Sequence, residues 1–155
     1  MPDGIALDLR RAGPADAEAI AALTREAYAK WLPVIGRAPK PMTADYETAL
    51  RAHLIDLLFA GGVLAALVEC IRETDHLLIE NLAVSTAHQG RGYGRKLVAH
   101  VEDLARTLGL VEVRLYTNTL FVENIGFYRS LGYRIDAETA FKGGFLTHMS
   151  RRIST

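Results

Sequence analysis

Residues 77–108 read LLIENLAVSTAHQGRGYGRKLVAHVEDLARTL, and the fold is read from them. Leu77 to Val84 is an apolar run rich in β-formers, which predicts a buried strand. A short polar connection leads into Gln89-Gly90-Arg91-Gly92-Tyr93-Gly94. Beyond it Leu97, Val98, Val101, Leu104, Ala105 and Leu108 recur at helical spacing, and Gly109 stands where a C′ glycine ends a helix. Glycines in such a turn let backbone N–H groups approach a ligand, and the helix N-terminus adds about half a positive charge. Arg91, Arg95 and Lys96 add whole charges. Strand, turn and helix together predict an anion site suited to phosphate. The competing reading is a turn that serves only the strand-to-helix geometry.

Two common glycine motifs do not fit. A dinucleotide fingerprint needs a third glycine where this chain has Arg95, and a Walker A loop needs a hydroxyl where it has Leu97. The turn instead resembles motif A of the GNAT superfamily of N-acetyltransferases, [QR]-x-x-G-x-[GA], met by Gln89, Gly92 and Gly94. A second piece, Phe127-Tyr128-Arg129-Ser130-Leu131-Gly132-Tyr133, resembles that superfamily's fourth motif, FYxxLGF or FYxxLGY. Two motifs in the right order are far more specific than one. The resemblance implies an α/β fold of the GNAT type, a central mixed sheet of about six to seven strands flanked by about four helices. It also implies acetyl-CoA as co-substrate. Leu82, Ala83 and Val84 would lie along the cofactor, and Gln89, Gly90, Arg91, Gly92, Tyr93, Gly94 and Arg95 would surround its pyrophosphate.

The rest of the chain is compatible with this. Its 155 residues suit one domain, 1–155, long enough to bury a core. Eighteen basic residues balance eighteen acidic ones, which removes the usual electrostatic case for nucleic acid or an anionic membrane as partner. No apolar run reaches the roughly 18 residues of a membrane span. The N-terminus carries Asp3 and lacks the apolar core of a secretory signal, and the single Cys70 has no internal disulfide partner. A reducing cytoplasm is the expected setting, and Cys70 is expected in the core.

Ile5 to Arg11 alternates and predicts an edge-proximal first strand; Asp16 is placed to cap a helix from Ala17 to Trp31. Pro33, Pro39 and Pro41 predict a stiffened loop, after which Thr43 is read as the start of a second helix, Ala44 to about Leu54. Ile55 to Ala60 suits the end of that helix or a strand equally. Val63–Ile71 predicts a strand closed by a hairpin onto Leu77. Val111–Thr117 predicts the next strand, parallel to 77–84 because a helix crosses between them. Val122–Leu131 predicts a short helix, and Tyr133–Ala137 and Phe145–Ile153 a last pair of strands.

The chemistry implied is acyl transfer from a thioester to an amine. Tyr128 is the candidate acid for the departing thiolate, as the resemblance implies, and a neutral phenol can donate near neutral pH; core packing is the other reading. A carboxylate amid Leu77–Val84 costs several kcal/mol if buried unpaired, so Glu80 must face a cleft, a partner or water. The resemblance makes it a candidate general base or water-positioning residue. Family members often carry a pantetheine-contacting asparagine six or seven residues before the tyrosine, where this chain has Val122 and Phe121. Asn124, sharing a helix face with Tyr128, is favoured for that contact, with Asn118 the alternative or a strand-end turn residue. Tyr28, Arg37 and Asn81 are the candidate acceptor-site residues. The pattern AYxxWxPxIGRxPxPMxxDY over residues 27–46 resembles a group of bacterial members, and Arg37 suits a substrate carboxylate. His148 is a further candidate for the acceptor cleft. The five histidines show no metal spacing, so no metal is expected. The expected partner is a small-molecule or peptide amine, and the protein a monomer or homodimer. A CoA-binding module without turnover, or a transferase of another acyl group, are the alternatives.

Overall fold

The computed structural model describes residues 4–154; Asp3, on which the reading of the N-terminus partly rested, lies outside them. The chain runs β1 (Leu7–Arg11), α1 (Ala17–Tyr28), α2 (Leu32–Ile35), α3 (Lys40–Thr43), α4 (Tyr46–Ala52), β2 (Leu54–Ala60), β3 (Val63–Arg72), β4 (Leu77–Val84), α5 (Tyr93–Thr107), β5 (Glu112–Asn118), α6 (Val122–Ser130), β6 (Arg134–Phe141) and β7 (Gly144–Arg152). The strands form one mixed sheet in the order β1-β2-β3-β4-β5-β7-β6. Only β4 and β5 are parallel, as the crossover through α5 requires. Two apolar layers cover the sheet. Ile20 and Leu23 of α1 and Ala49 of α4 pack with Ile55, Leu57 and Leu67. Leu97, Val98 and Val101 of α5 and Tyr128 of α6 pack with Val68, Leu77, Ile79 and Val113. Cys70 lies in the second layer, 1% exposed, and burial pushes its thiol pKa well up.

A β-bulge in β4 positions the site. Asn81 pairs with Glu69 and Ile79 with Cys70, so Glu80 is the extra residue. Inserting one residue reverses the inside–outside alternation. Leu77 and Ile79 accordingly pack toward α5, whereas Ala83 joins the α1 layer and Asn81 hydrogen-bonds α1 and α4 side chains. The β4–β5 ladder contains Leu77–Val113, Leu78–Arg114 and Ile79–Leu115, then stops at the bulge. Beyond it β4 stays with β3 and β5 stays with β7, which leaves an opening between two parallel strands.

Several boundaries differ from the sequence expectation. The proline-rich segment is not simply a loop, because it winds into the single turns α2 and α3. Asp45, not Thr43, caps α4: its Oδ1 accepts from the Glu47 and Thr48 amides, while the Thr43 hydroxyl donates to the Lys40 carbonyl. Asp16 turns back to accept from the Gly13 amide and to pair with Arg10, rather than forward into α1. Residues 54–60 are a strand. Ile55 and Leu57 enter one layer and Leu58 and Ala60 the other, so burial on both faces erased the period that distinguishes strand from helix.

Candidate active site

At the carboxyl end of β4 the site is made of backbone. Gly90 and Gly92 both adopt φ of +81°, a left-handed conformation open to glycine. Gly92 caps α5, and the first intrahelical bond runs from the Lys96 amide to the Gly92 carbonyl. The amides of Tyr93, Gly94 and Arg95 therefore lie outside the helical ladder, at its positive end. Gly94 lies close to α6: a Cβ there would stand 3.4 Å from the Phe127 ring, at the edge of ordinary van der Waals contact. The Gln89 side chain donates to the Val84 carbonyl at 3.2 Å and ties turn to strand. Because the Ser85 amide bonds Ala65 on β3, alternation aims the backbone of Leu82 and Val84 the other way, into the opening. A cavity of about 430 Å³ follows, lined by Leu82, Ala83, Val84, Gln89, Gly90, Gly92, Tyr93, Gly94 and Arg95. Arg91 and Lys96 are exposed beside it. His88 lines it too, its Nδ1 2.8 Å from the Ser85 hydroxyl.

On the other side of the bulge the site is made of side chains. A cleft of about 630 Å³ opens between α1, α3, α4, β4, β5 and α6. The bulge delivers Glu80 into it, where Oε1 accepts from the Tyr116 hydroxyl at 2.7 Å and Oε2 from the Lys40 ammonium at 3.3 Å. Lys40 also donates to Tyr116 at 3.4 Å. Burial works to lower the Lys40 pKa, but the charge of Glu80 and its bond to Tyr116 outweigh it and hold it above the ordinary value. Burial, then the Glu80 bond and charge, push Tyr116 upward. Glu69 of β3 lines the same cleft, 2.6 Å from His53 Nδ1. Burial holds its carboxyl above the ordinary range despite His53. Asn81 is 2% exposed; its Nδ2 donates to Thr24 and to Tyr46, and its Oδ1 is buried without a partner. The Tyr46 hydroxyl, pushed up to about 12 chiefly by burial, donates to the Pro41 carbonyl at 2.6 Å.

Tyr28, Leu82, Asn124 and Phe127 line both cavities and mark their junction. There the Tyr28 hydroxyl donates to the Leu82 carbonyl at 3.2 Å. Tyr128 faces the larger cleft, packed edge-on against Phe127 and Tyr133, and burial pushes its pKa well up. Asn118 spends its side chain on a turn, accepting from the Leu120 amide, whereas Asn124 stands at the junction. Arg37 lines the outer part of the cleft with its guanidinium 5.6 Å from the centre of the Phe141 ring. His148 lines neither cavity; it hydrogen-bonds Thr139 and lies beside Tyr116. Sequence reasoning did not single out Lys40, Tyr116, Glu69 or His53 as a cluster, because they come together only through the sheet. Among the described residues no group of His, Cys, Asp or Glu could hold a metal, and no helix is long and apolar enough to cross a membrane.

Comparison with known proteins agrees with this geometry. The profile of the Acetyltransferase (GNAT) family matches residues 19–133. N-alpha-acetyltransferase 80 of Mus musculus is 32% identical over 91 residues, covering 59% of this chain and 26% of that protein. N-acetyltransferase 8B of Homo sapiens is 29% identical over 125 residues, covering 67% of this chain and 55% of that protein. The chain thus spans about a quarter and about half of these curated relatives. In fold it is similar to the PaiA N-acetyltransferase from Thermoplasma acidophilum, solved in complex with coenzyme A, with a TM-score of 0.79 and 16% identity over 95% of this chain and 99% of that one.

Proposed function

The chain belongs to the acetyltransferase (GNAT) family, and from that premise we propose that it acts as one domain, residues 1–155, transferring an acetyl group from acetyl-CoA directly to a primary amine of a small molecule or peptide. One observation carries the reading. The β4 edge freed at the bulge runs without interruption from the glycine turn to Glu80, so a single extended ligand meets amides at one end and a carboxylate at the other.

The residues present fit the cofactor. The amides of the glycine turn suit a pyrophosphate, with Arg95 beside them. The outward backbone of Leu82 and Val84 and the Asn124 side chain suit the amide-bearing pantetheine arm. Acetyl-CoA, when bound, supplies an activated acyl carbon and a sulfur leaving group. Glu80 takes a proton from the incoming ammonium, which otherwise has no lone pair for attack. Tyr116 donates to Glu80 and keeps the carboxylate oriented. The Tyr128 hydroxyl gives its proton to the departing sulfur. Tyr28 holds the Leu82 carbonyl and so fixes the strand edge at the junction.

Arg37 on the outer wall favours an acceptor that carries a carboxylate, with Asn81 and Tyr28 shaping the inner wall. The same reading makes the protein a cytoplasmic monomer or homodimer, in keeping with a lone buried cysteine. Two measurements test it. At a hundredfold excess over Kd, CoA should stabilise the fold by about 2.7 kcal/mol; no thermal shift at saturation sinks the assignment. Thiol release from acetyl-CoA should then accelerate with some member of a panel of polyamines, aromatic amines, amino acids and peptide N-termini. Binding without release across the panel would favour the CoA-binding module instead.

A further inference from the structure

Of the four lysines in the chain, Lys40 alone lines the larger cleft. Its Nζ lies 3.3 Å from Glu80 and 3.4 Å from the Tyr116 hydroxyl, the contacts an acceptor ammonium needs there. The backbone carrying it is held in place: Pro39 and Pro41 flank it, and the Asn81 amide bonds Tyr46, which bonds the Pro41 carbonyl. Its side chain is 64% exposed, so its outer methylenes are free to swing. Leu82, at the junction of the two cavities, is two strand residues beyond Glu80, roughly 7 Å along β4. To meet the acyl carbon, Nζ has to swing from Glu80 toward that junction. We propose that Lys40 is an internal acceptor: with acetyl-CoA bound and no outside amine present, the protein acetylates its own Lys40.

The inference rests on the acetyl-transfer reading above. Glu80 removes one proton from the Lys40 ammonium and passes it to solvent. The freed Nζ lone pair forms the N–C bond to the acyl carbon, and the C–S bond breaks with its electron pair going to sulfur. Tyr128 protonates that sulfur and is reprotonated by the second proton that nitrogen loses. The products are N-acetyl-Lys40, CoA thiol and one proton. Modification removes the cation that occupies Glu80 at rest.

The test is peptide mass spectrometry of the full chain incubated with acetyl-CoA alone. Lys96 on the exposed start of α5 and Lys142 in the β6–β7 turn report background chemical acetylation. Lys40 should be modified roughly tenfold or more faster than either, because its amine is held beside the base. The fraction modified per unit time should not depend on protein concentration. Glu80→Gln and Gly92→Val should bring Lys40 down to the background rate, and Lys40→Arg should remove the modification while the CoA-induced thermal shift persists. Equal rates at the three lysines, or a rate that rises with protein concentration, overturns the proposal. Acetylation of an added amine with Lys40 untouched overturns this proposal alone. Absence of any CoA-induced shift overturns the acetyl-transfer reading and this inference with it.

Discussion

The two halves of the site are built from different material. The glycine-turn half uses backbone: the amides of residues 93–95, the turned-out edge at Leu82 and Val84, and left-handed Gly90 and Gly92. The other half, proposed above to hold the amine, uses side chains: Lys40 from α3, His53 after α4, Glu69 from β3, Glu80 from β4 and Tyr116 from β5. Backbone geometry is written in consecutive residues, whereas a side-chain cluster is written in topology. Tyr128 lines the larger cleft next to Phe127, which stands at the junction, and it gives the largest test of the two halves' independence. Tyr128→Phe retains the ring that packs against Phe127 and Tyr133 and removes only the hydroxyl. Turnover number should fall roughly 10- to 1,000-fold while the CoA-induced thermal shift is preserved. Unchanged turnover would return the tyrosine to the core and leave the sulfur to solvent.

The same contrast accounts for what the sequence disclosed. Gln89 to Gly94 and Phe127 to Tyr133 were legible because each is a short run whose geometry is its own. Glu80 was half legible. A carboxylate in an apolar run demanded a cleft or a partner, and it has both, yet the bulge that turns it there leaves no mark in composition. Lys40 and Tyr116 lie 40 residues before and 36 residues after Glu80 along the chain, so no local pattern joins them. Helical spacing to Tyr128 favoured Asn124 over Asn118 in the sequence; Asn124 lines both cavities and Asn118 the larger one alone. Residues 54–60 were ambiguous because two apolar layers bury them from both sides.

A second test addresses the backbone half alone. Gly92 has φ of +81°, and nothing stands within 4 Å of where its Cβ would be. A Cβ there therefore meets no neighbour, but Gly92→Val is forced out of a conformation that costs an L-residue about 1–2 kcal/mol. The apo protein should remain folded, while the turn rotates its amides away from the anion position. The CoA-induced stabilisation of about 2.7 kcal/mol at a hundredfold excess should disappear, which corresponds to an affinity loss of about 100-fold or more. If the shift survives in Gly92→Val, the turn is only a connection between strand and helix, and the two halves do not divide as drawn.

The smallest expected effect lies in the amine half, and its sign is informative. Glu69 is buried beside His53, and burial holds its carboxyl above the ordinary range even against that partner, with the charge of Glu80 adding to the effect. A carboxyl whose folded pKa lies above its unfolded value, near 4.3, binds protons more tightly when folded. Its contribution to stability is complete below that unfolded value and is lost as pH rises through the folded one. At neutral pH the ionised Glu69 therefore lowers stability, as groups kept for a site often do. Glu69→Gln cannot ionise, yet keeps a carbonyl oxygen to accept from His53. Melting at pH 7 should be unchanged or higher by a few degrees, on the order of 1 kcal/mol, and the difference from the parent should shrink toward pH 4. Turnover should fall, because the cleft loses half of the negative charge that Glu69 and Glu80 present to an ammonium. A lower melting temperature at pH 7, persisting in acid, would make Glu69–His53 a structural pair. The amine half would then reduce to Lys40, Glu80 and Tyr116.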